Sequence, residues 1–139
     1  MAYEIHQIGG IDDQQRGTLV SAGVTTTGEL LVACSTSDSR RTLAARTGID
    51  EIALLRWARL ADLMRVSGVG YQYAELLDAA GIFALEALRS EDPDQLAERL
   101  AEINGKTRYA RTCPGPVVLA RWIAQARRMR PLLEHDHEP

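Results

Sequence analysis

Of all the segments in this 139-residue chain, Val66-Ser67-Gly68-Val69-Gly70 most directly suggests chemistry. Its two glycines permit backbone angles that a side chain forbids, so two helices can meet through a very tight turn held to them by Val66 and Val69. Gly70 then leaves backbone N–H groups uncovered at the start of the following helix, where the helix dipole is also positive. Such an arrangement suits an anion, a phosphate oxygen above all. Arg65 precedes the turn and is expected to approach the same phosphate, while Tyr71 and Gln72 follow with hydrogen-bonding groups but no charge. An earlier stretch, Ile8-Gly9-Gly10-Ile11, has the same form, but Asp12 stands where Gly70 stands in the later one. A carboxylate there caps its own helix and repels a phosphate, so the first turn is expected to be structural.

Other chemically suggestive residues fall away on inspection. Asp12 and Asp13 are adjacent at a helix start, point in different directions and have no nucleophile or metal ligand near them, which indicates capping and not acid–base work. His135-Asp136-His137 offers two imidazoles on a tail expected to be disordered from Leu133 onward, and His6 is too isolated to complete a metal site. Cys34 and Cys113 lack CxxC spacing and lie beside no base, so they read as ordinary reduced thiols. Trp57 and Trp122 have apolar neighbours at three- and four-residue spacing and read as core anchors, not as platforms for stacking bases. Tyr3, Tyr71, Tyr73 and Tyr109 read equally well as pocket-lining or as half-buried helix residues. With no nucleophile–base pair, no metal-ligand spacing and no phosphate loop of the P-loop type, neither an enzyme nor a cofactor is expected.

The elements that must position the turn are helical. Only seven residues are aromatic, the chain is 45 % hydrophobic, and no stretch alternates polar with apolar as a half-buried strand does. Helices are predicted over 12–22 with Leu19 and Ala22 turned inward and Gly23 as a left-handed stop, over a short stretch begun by a Thr26-Thr27-Gly28-Glu29 capping box, and over 37–46 before Gly48. Asp50 caps a long helix in which Ile52, Leu55, Trp57 or Ala58, Ala61 and Met64 recur at helical spacing. Further helices are predicted over 71–80, 85–89 and, after Asp92-Pro93, over 93–104. A loop over 106–116 leads to a last helix over 116–130 that buries Leu119, Trp122, Ile123 and Ala126.

These elements repeat. Ile8-Gly9-Gly10-Ile11 leading to Ala22-Gly23-Val24 recurs, 58 residues on, as Val66 to Gly70 leading to Ala80-Gly81-Ile82. Arg56 to Arg65 matches Arg121 to Arg130 at five of ten positions, 65 residues apart, so the later copy carries seven extra residues. The expected architecture is all-α: a duplicated four-helix unit forming one compact domain over 1–132, with repeats over about 8–65 and 66–130 and a tail over 133–139.

Charge is unevenly spread. The net charge is −3, yet from Asn104 to Pro131 there is no acidic residue, while Lys106, Arg108, Arg111, Arg121, Arg127, Arg128 and Arg130 supply seven positive charges. Arg121 and Arg128 are seven apart and share a helix face, with Arg127 and Arg130 on a neighbouring edge. No apolar run approaches the ~18 residues of a membrane span, and no charged-then-apolar leader is visible, so a cytoplasmic protein without a membrane role is expected.

The turn, with Tyr73-Ala74-Glu75-Leu76-Leu77 and Ala80-Gly81-Ile82 behind it, resembles the helix-hairpin-helix motif of DNA-repair and recombination proteins. Over roughly its whole length the chain is similar to a bacterial family of tandem helix-hairpin-helix proteins known only as a domain of unknown function. The matching residues are Arg41, Leu43, Ala44, Thr47-Gly48-Ile49, Trp57-Ala58, Ala61-Asp62-Leu63, Arg65, Gly68-Val69-Gly70, Tyr73-Ala74 and Trp122-Ile123. The motif implies sequence-independent contact with a nucleic-acid backbone through the amides of Gly68, Val69 and Gly70, extended by Arg65, Tyr71, Gln72, Lys106, Arg108 and Arg111. Members that bind DNA usually carry Lys or Arg after the second glycine, where this chain has Tyr71 and Gln72, which implies weak, salt-sensitive binding to DNA or RNA. The alternative is an interaction adaptor that presents Arg121, Arg127, Arg128 and Arg130 to an acidic protein or to another copy of itself.

Overall fold

A computed structural model describes residues 3–134, and in it eight α-helices follow a short 3-10 turn at Ile5–Gln7. They are α1 Asp13–Ser21, α2 Thr27–Ala33, α3 Ser37–Thr47, α4 Glu51–Leu63, α5 Tyr71–Ala79, α6 Leu85–Leu88, α7 Pro93–Lys106 and α8 Pro116–Arg128. No strand occurs among the described residues beyond an isolated bridge between Glu4 and Thr26, so the class is the all-helical one that composition pointed to.

Local chemistry explains the helix starts. Asp12 Oδ1 accepts from the Gln15 amide at 2.7 Å while Gln15 Oε1 accepts from the Asp12 amide at 3.0 Å, a reciprocal box that satisfies two otherwise orphaned donors. Thr26 and Glu29 do the same for α2, and Glu29 Oε1 also takes the Thr25 hydroxyl at 2.6 Å. Those bonds, the Thr25 hydroxyl first, hold the Glu29 carboxyl below its ordinary value of 4.5. The box is therefore complete above that pH and is lost as pH falls through the lowered folded value. Asp92 Oδ2 accepts from the Gln95 amide at 3.0 Å with Pro93 in the first helical position. Gly48, at φ +74, ends α3 as a left-handed cap.

The chain divides into two compact units. One comprises the residues up to Asp62 together with the segment from Leu132, and the other is Leu63–Pro131. In the first, Ile5, Ile8, Leu19, Leu30 and Leu43 are buried, and the chain returns to this unit at its far end. Leu133 is buried, the Glu134 amide donates to Ser35 O at 2.7 Å, and the Ser37 amide donates to Glu134 Oε1 at 3.2 Å. Arg40, only 2 % exposed, donates through Nη1 to Cys34 O at 2.8 Å and to Glu134 O at 2.7 Å. The tail expected to be disordered from Leu133 is thus corrected at its first two residues, because Leu133 is buried and the backbone of Glu134 has partners in Ser35 and Arg40; residues 135–139, with the His-Asp-His stretch, lie outside the described residues.

Burial pushes the Cys34 thiol up to about 11, with the nearby Arg40 charge offsetting part of the shift, and partial burial raises Cys113 as well. A raised thiol contributes stability that is intact below its unfolded value of 9.0 and lost as pH rises towards 11. Urea unfolding should therefore show stability falling by on the order of 2 kcal/mol across that interval, and Cys34→Ala should remove this part of the alkaline loss. In native protein a thiol reagent should modify Cys113 and spare Cys34 until the fold opens.

The inward stripe predicted for α4 is corrected. Ile52 is 77 % exposed and Leu55 half-buried, whereas Leu54, Trp57, Ala58, Leu60, Ala61, Leu63 and Met64 are all buried. Leu54, Trp57, Ala58 and Ala61 keep the helical period, and the predicted stripe starts out of register with it because Ile52 lies on the side exposed with Glu51 and Arg56.

In the second unit α8 packs against α7 and α6, and α5 against α7. Leu119, Trp122, Ile123 and Ala126 face inward as predicted. The C-terminal end of α8, where the helix dipole is negative, is held by two cations: Arg89 donates to the carbonyls of Ala126 at 2.9 Å and of Met129, and Arg65 Nη2 donates to Arg130 O at 2.8 Å. The loop over 107–115 is built on Asn104, whose Oδ1 accepts from the amides of Tyr109 and Ala110 and whose Nδ2 donates to Ala110 O at 3.0 Å.

Candidate anion site

The turn over 66–70 uses most of its own donors. Val66 and Val69 are fully buried; the Val66 amide donates to Leu63 O at 3.1 Å and the Val69 amide to Val66 O at 3.0 Å. The Ser67 amide donates to Gln125 Oε1 at 2.7 Å, tying the turn to α8. Val69 is therefore corrected as an anion donor, since its N–H is spent inside the turn and its side chain in the core.

The two glycines also differ. Gly68 sits at φ +92, a backbone angle that favours glycine, and a Cβ there would lie a tight 3.3 Å from Trp122 Nε1. Gly70 is ordinary extended backbone at φ −86 with no atom within 4 Å of a Cβ, so the expectation that it too needs glycine's freedom does not hold. It serves as the N-cap of α5 and supplies no side-chain cap bond, in contrast to Asp12 on α1. Tyr71 and Gln72 form the first turn of α5, the former half-buried and the latter exposed.

Beside Gly68 lies a cleft of about 340 Å³ walled by Ser67 and Gly68 from the turn, Tyr73 from α5, and Val118, Arg121, Trp122 and Gln125 from α8. Arg121 is exposed and makes no ion pair or hydrogen bond among the described residues. Trp122 is only 4 % exposed, and its Nε1 has no acceptor among the described residues. The Tyr73 ring leans on the indole, with centroids 5.3 Å apart at 56°, and its hydroxyl donates to Thr112 O at 3.0 Å. The segment adjoining Arg111 is thereby drawn to the same place. No carboxylate lines the cleft.

The remaining basic residues are partly engaged elsewhere. Arg65 is taken by Arg130 O, so its guanidinium serves the end of α8. Lys106 Nζ lies 3.5 Å from Glu102 on the same helix face, with both side chains exposed. Arg108 Nη2 donates to Arg111 O at 3.0 Å, while Arg111 itself is exposed. Arg127 Nε donates to Arg89 O at 3.0 Å, and Arg128 and Arg130 are exposed. Of the cations expected at the turn, none lines the cleft, whereas Arg121, expected on a separate interaction surface, does. Ser67 and Gln125 are the residues that sequence reasoning missed, while Tyr73 was left between pocket-lining and half-buried and Trp122 was read as a core anchor; the faint signal was an aromatic ring three residues after Gly70 and a Trp preceded by Arg on the last helix.

Among the described residues no group of three or more His, Cys, Asp or Glu side chains could hold a metal ion, and no helix is long and apolar enough to cross a membrane. Fold and cleft together define a small all-helical protein with a donor-lined recess beside a glycine turn. The chain belongs to the family described as a domain of unknown function, DUF4332, whose pattern matches residues 9–129. No curated protein and no solved structure matches it.

Proposed function

We propose that this protein is a non-enzymatic cytoplasmic module that contacts a nucleic-acid backbone, independently of sequence, through its second glycine turn. On this reading the chain is a tandem of helix-hairpin-helix units over about 8–65 and 66–130. Support comes from matched details: a Cβ on Gly10 would meet Trp57 Nε1 at 3.5 Å as one on Gly68 would meet Trp122 Nε1 at 3.3 Å. Likewise Val24 donates to Leu19 O, and Ile82 to Leu77 O, each at 2.9 Å. The observation that carries the functional reading is the meeting of Arg121 with Ser67 and Gly68 of the turn in one cleft. With Arg65 and Lys106 engaged elsewhere, contact extends to about one or two phosphates, so log K should fall against log salt with a slope of roughly −1 to −2.

The test is fluorescence anisotropy of labelled duplex, single-stranded DNA and RNA at two salt concentrations. Gly70→Asp places a carboxylate where Asp12 already stands on α1, in open space, so helicity should persist while binding is lost. Equal binding by that variant, or no binding by the parent at low salt, overturns the reading.

A second reading, an adaptor for an acidic protein or a second copy of the chain, draws on the first unit. There Ala22, Val24, Val32 and Ala33 line an apolar groove of about 480 Å³, with Val32 70 % exposed, and the charges of Arg127 and Arg128 lie on the other unit's surface.

A further inference from the structure

We infer that the cleft between the turn and α8 holds one phosphate group, gripped by the Arg121 guanidinium and the Trp122 indole N–H beside the turn. This deepens the reading above and rests on it only for the source of the phosphate. The walls present donors of several kinds: Arg121 at the rim, Trp122 Nε1–H, the Ser67 hydroxyl, and the NH₂ end of Gln125, whose oxygen is already committed to the Ser67 amide. The indole is the decisive group. Trp122 is 4 % exposed as a residue, yet its Nε1–H is open to solvent where it lines the cleft and has no protein acceptor among the described residues, beside a cation that has no partner either.

A ligand oxygen in the cleft would complete both at once. The chemistry favours phosphate over a planar carboxylate, because a tetrahedral group offers oxygens in several directions at once, towards an arginine fork, an indole and a hydroxyl. No acid occurs between Asn104 and Pro131, so no nearby residue of α8 or its preceding loop opposes the charge. At about 340 Å³ the cleft is larger than a phosphate, leaving room for whatever the phosphate esterifies against Tyr73 and Val118. Either a strand's phosphodiester or a free phosphate would present this chemistry.

The experiment follows the two indole N–H signals in ¹H–¹⁵N spectra, assigned with Trp57→Phe, during titration with inorganic phosphate and separately with a short duplex, chloride serving as ionic-strength control. The Trp122 signal should shift and saturate while that of Trp57 stays. Arg121→Gln, a change at an exposed side chain, should weaken the response at least tenfold without altering the Trp57 signal or the helical content. A Trp122 signal unmoved by both ligands, moved equally by chloride, or equally responsive in Arg121→Gln overturns the inference. Response to inorganic phosphate without any binding of duplex upholds the cleft and removes the nucleic-acid reading. Duplex binding in anisotropy with an unmoved Trp122 signal upholds that reading and removes the cleft.

Discussion

Replacing Gly68 with alanine should lower stability by about 2–3 kcal/mol, whereas the same replacement at Gly70 should change it by less than about 1 kcal/mol, because alanine's poorer N-capping offsets the entropy gained in the unfolded state. At Gly68 a side chain meets two obstacles together, a left-handed backbone and the Trp122 indole 3.3 Å away. At Gly70 it meets neither, and the chain gains by losing freedom in the unfolded state. Gly70→Asp should do better still, since a carboxylate at an N-cap is worth roughly 0.5–2 kcal/mol relative to alanine. Urea midpoints at constant m-value measure all three. Equal losses at both glycines would mean that the turn is held by something other than the Gly68 angle and the indole behind it. The same series bears on binding, because a folded, well-capped Gly70→Asp protein makes loss of nucleic acid attributable to charge at the turn.

Arg40→Met should cost about 3 kcal/mol even though it keeps most of the side chain's volume. The guanidinium holds the carbonyls of Cys34 and Glu134, and methionine leaves both without that donor, the Cys34 carbonyl in a buried place. Two measurements check this: thermal unfolding, and the rate at which Cys34 reacts with a thiol reagent. Release of the Cys34 carbonyl should loosen the end of α2 and expose the thiol, so labelling should quicken by far more than the change at Cys113. A methionine variant as stable as the parent would assign Arg40 to packing alone.

Helix ends were legible in the chain wherever a short polar side chain sat before an apolar run. Asp12, Thr26 and Asp92 each close a cap that follows from residue type and spacing, and Gly48 ends its helix for want of a Cβ. The inward face of α8 was legible because one side of that helix is wet and the period survives. That of α4 was not, since apolar residues also stand off the buried face, the exposed Ile52 and half-buried Leu55 among them, and offer a competing register. Arg40 was illegible for a different reason: its acceptors are backbone carbonyls, which every residue has, so no pattern marks them. The acid-free stretch drew attention to α8 and its loop. Which of its cations remain available depends on tertiary partners such as Arg130 O for Arg65, and Arg121 came to line the cleft because Gln125, one turn further along α8, reaches the Ser67 amide.

The return of Glu134 to Ser35 and Arg40 has a mechanical meaning. Both ends of the described chain, Glu4 bridged to Thr26 and Glu134 docked on α3, belong to the same unit, and Leu63–Pro131 is spliced between them. A pull applied at the two ends is therefore borne by the first unit, whose contacts between Glu134 and α3 lie in the direct line of tension. The spliced unit, with its cleft, carries no load until those contacts part.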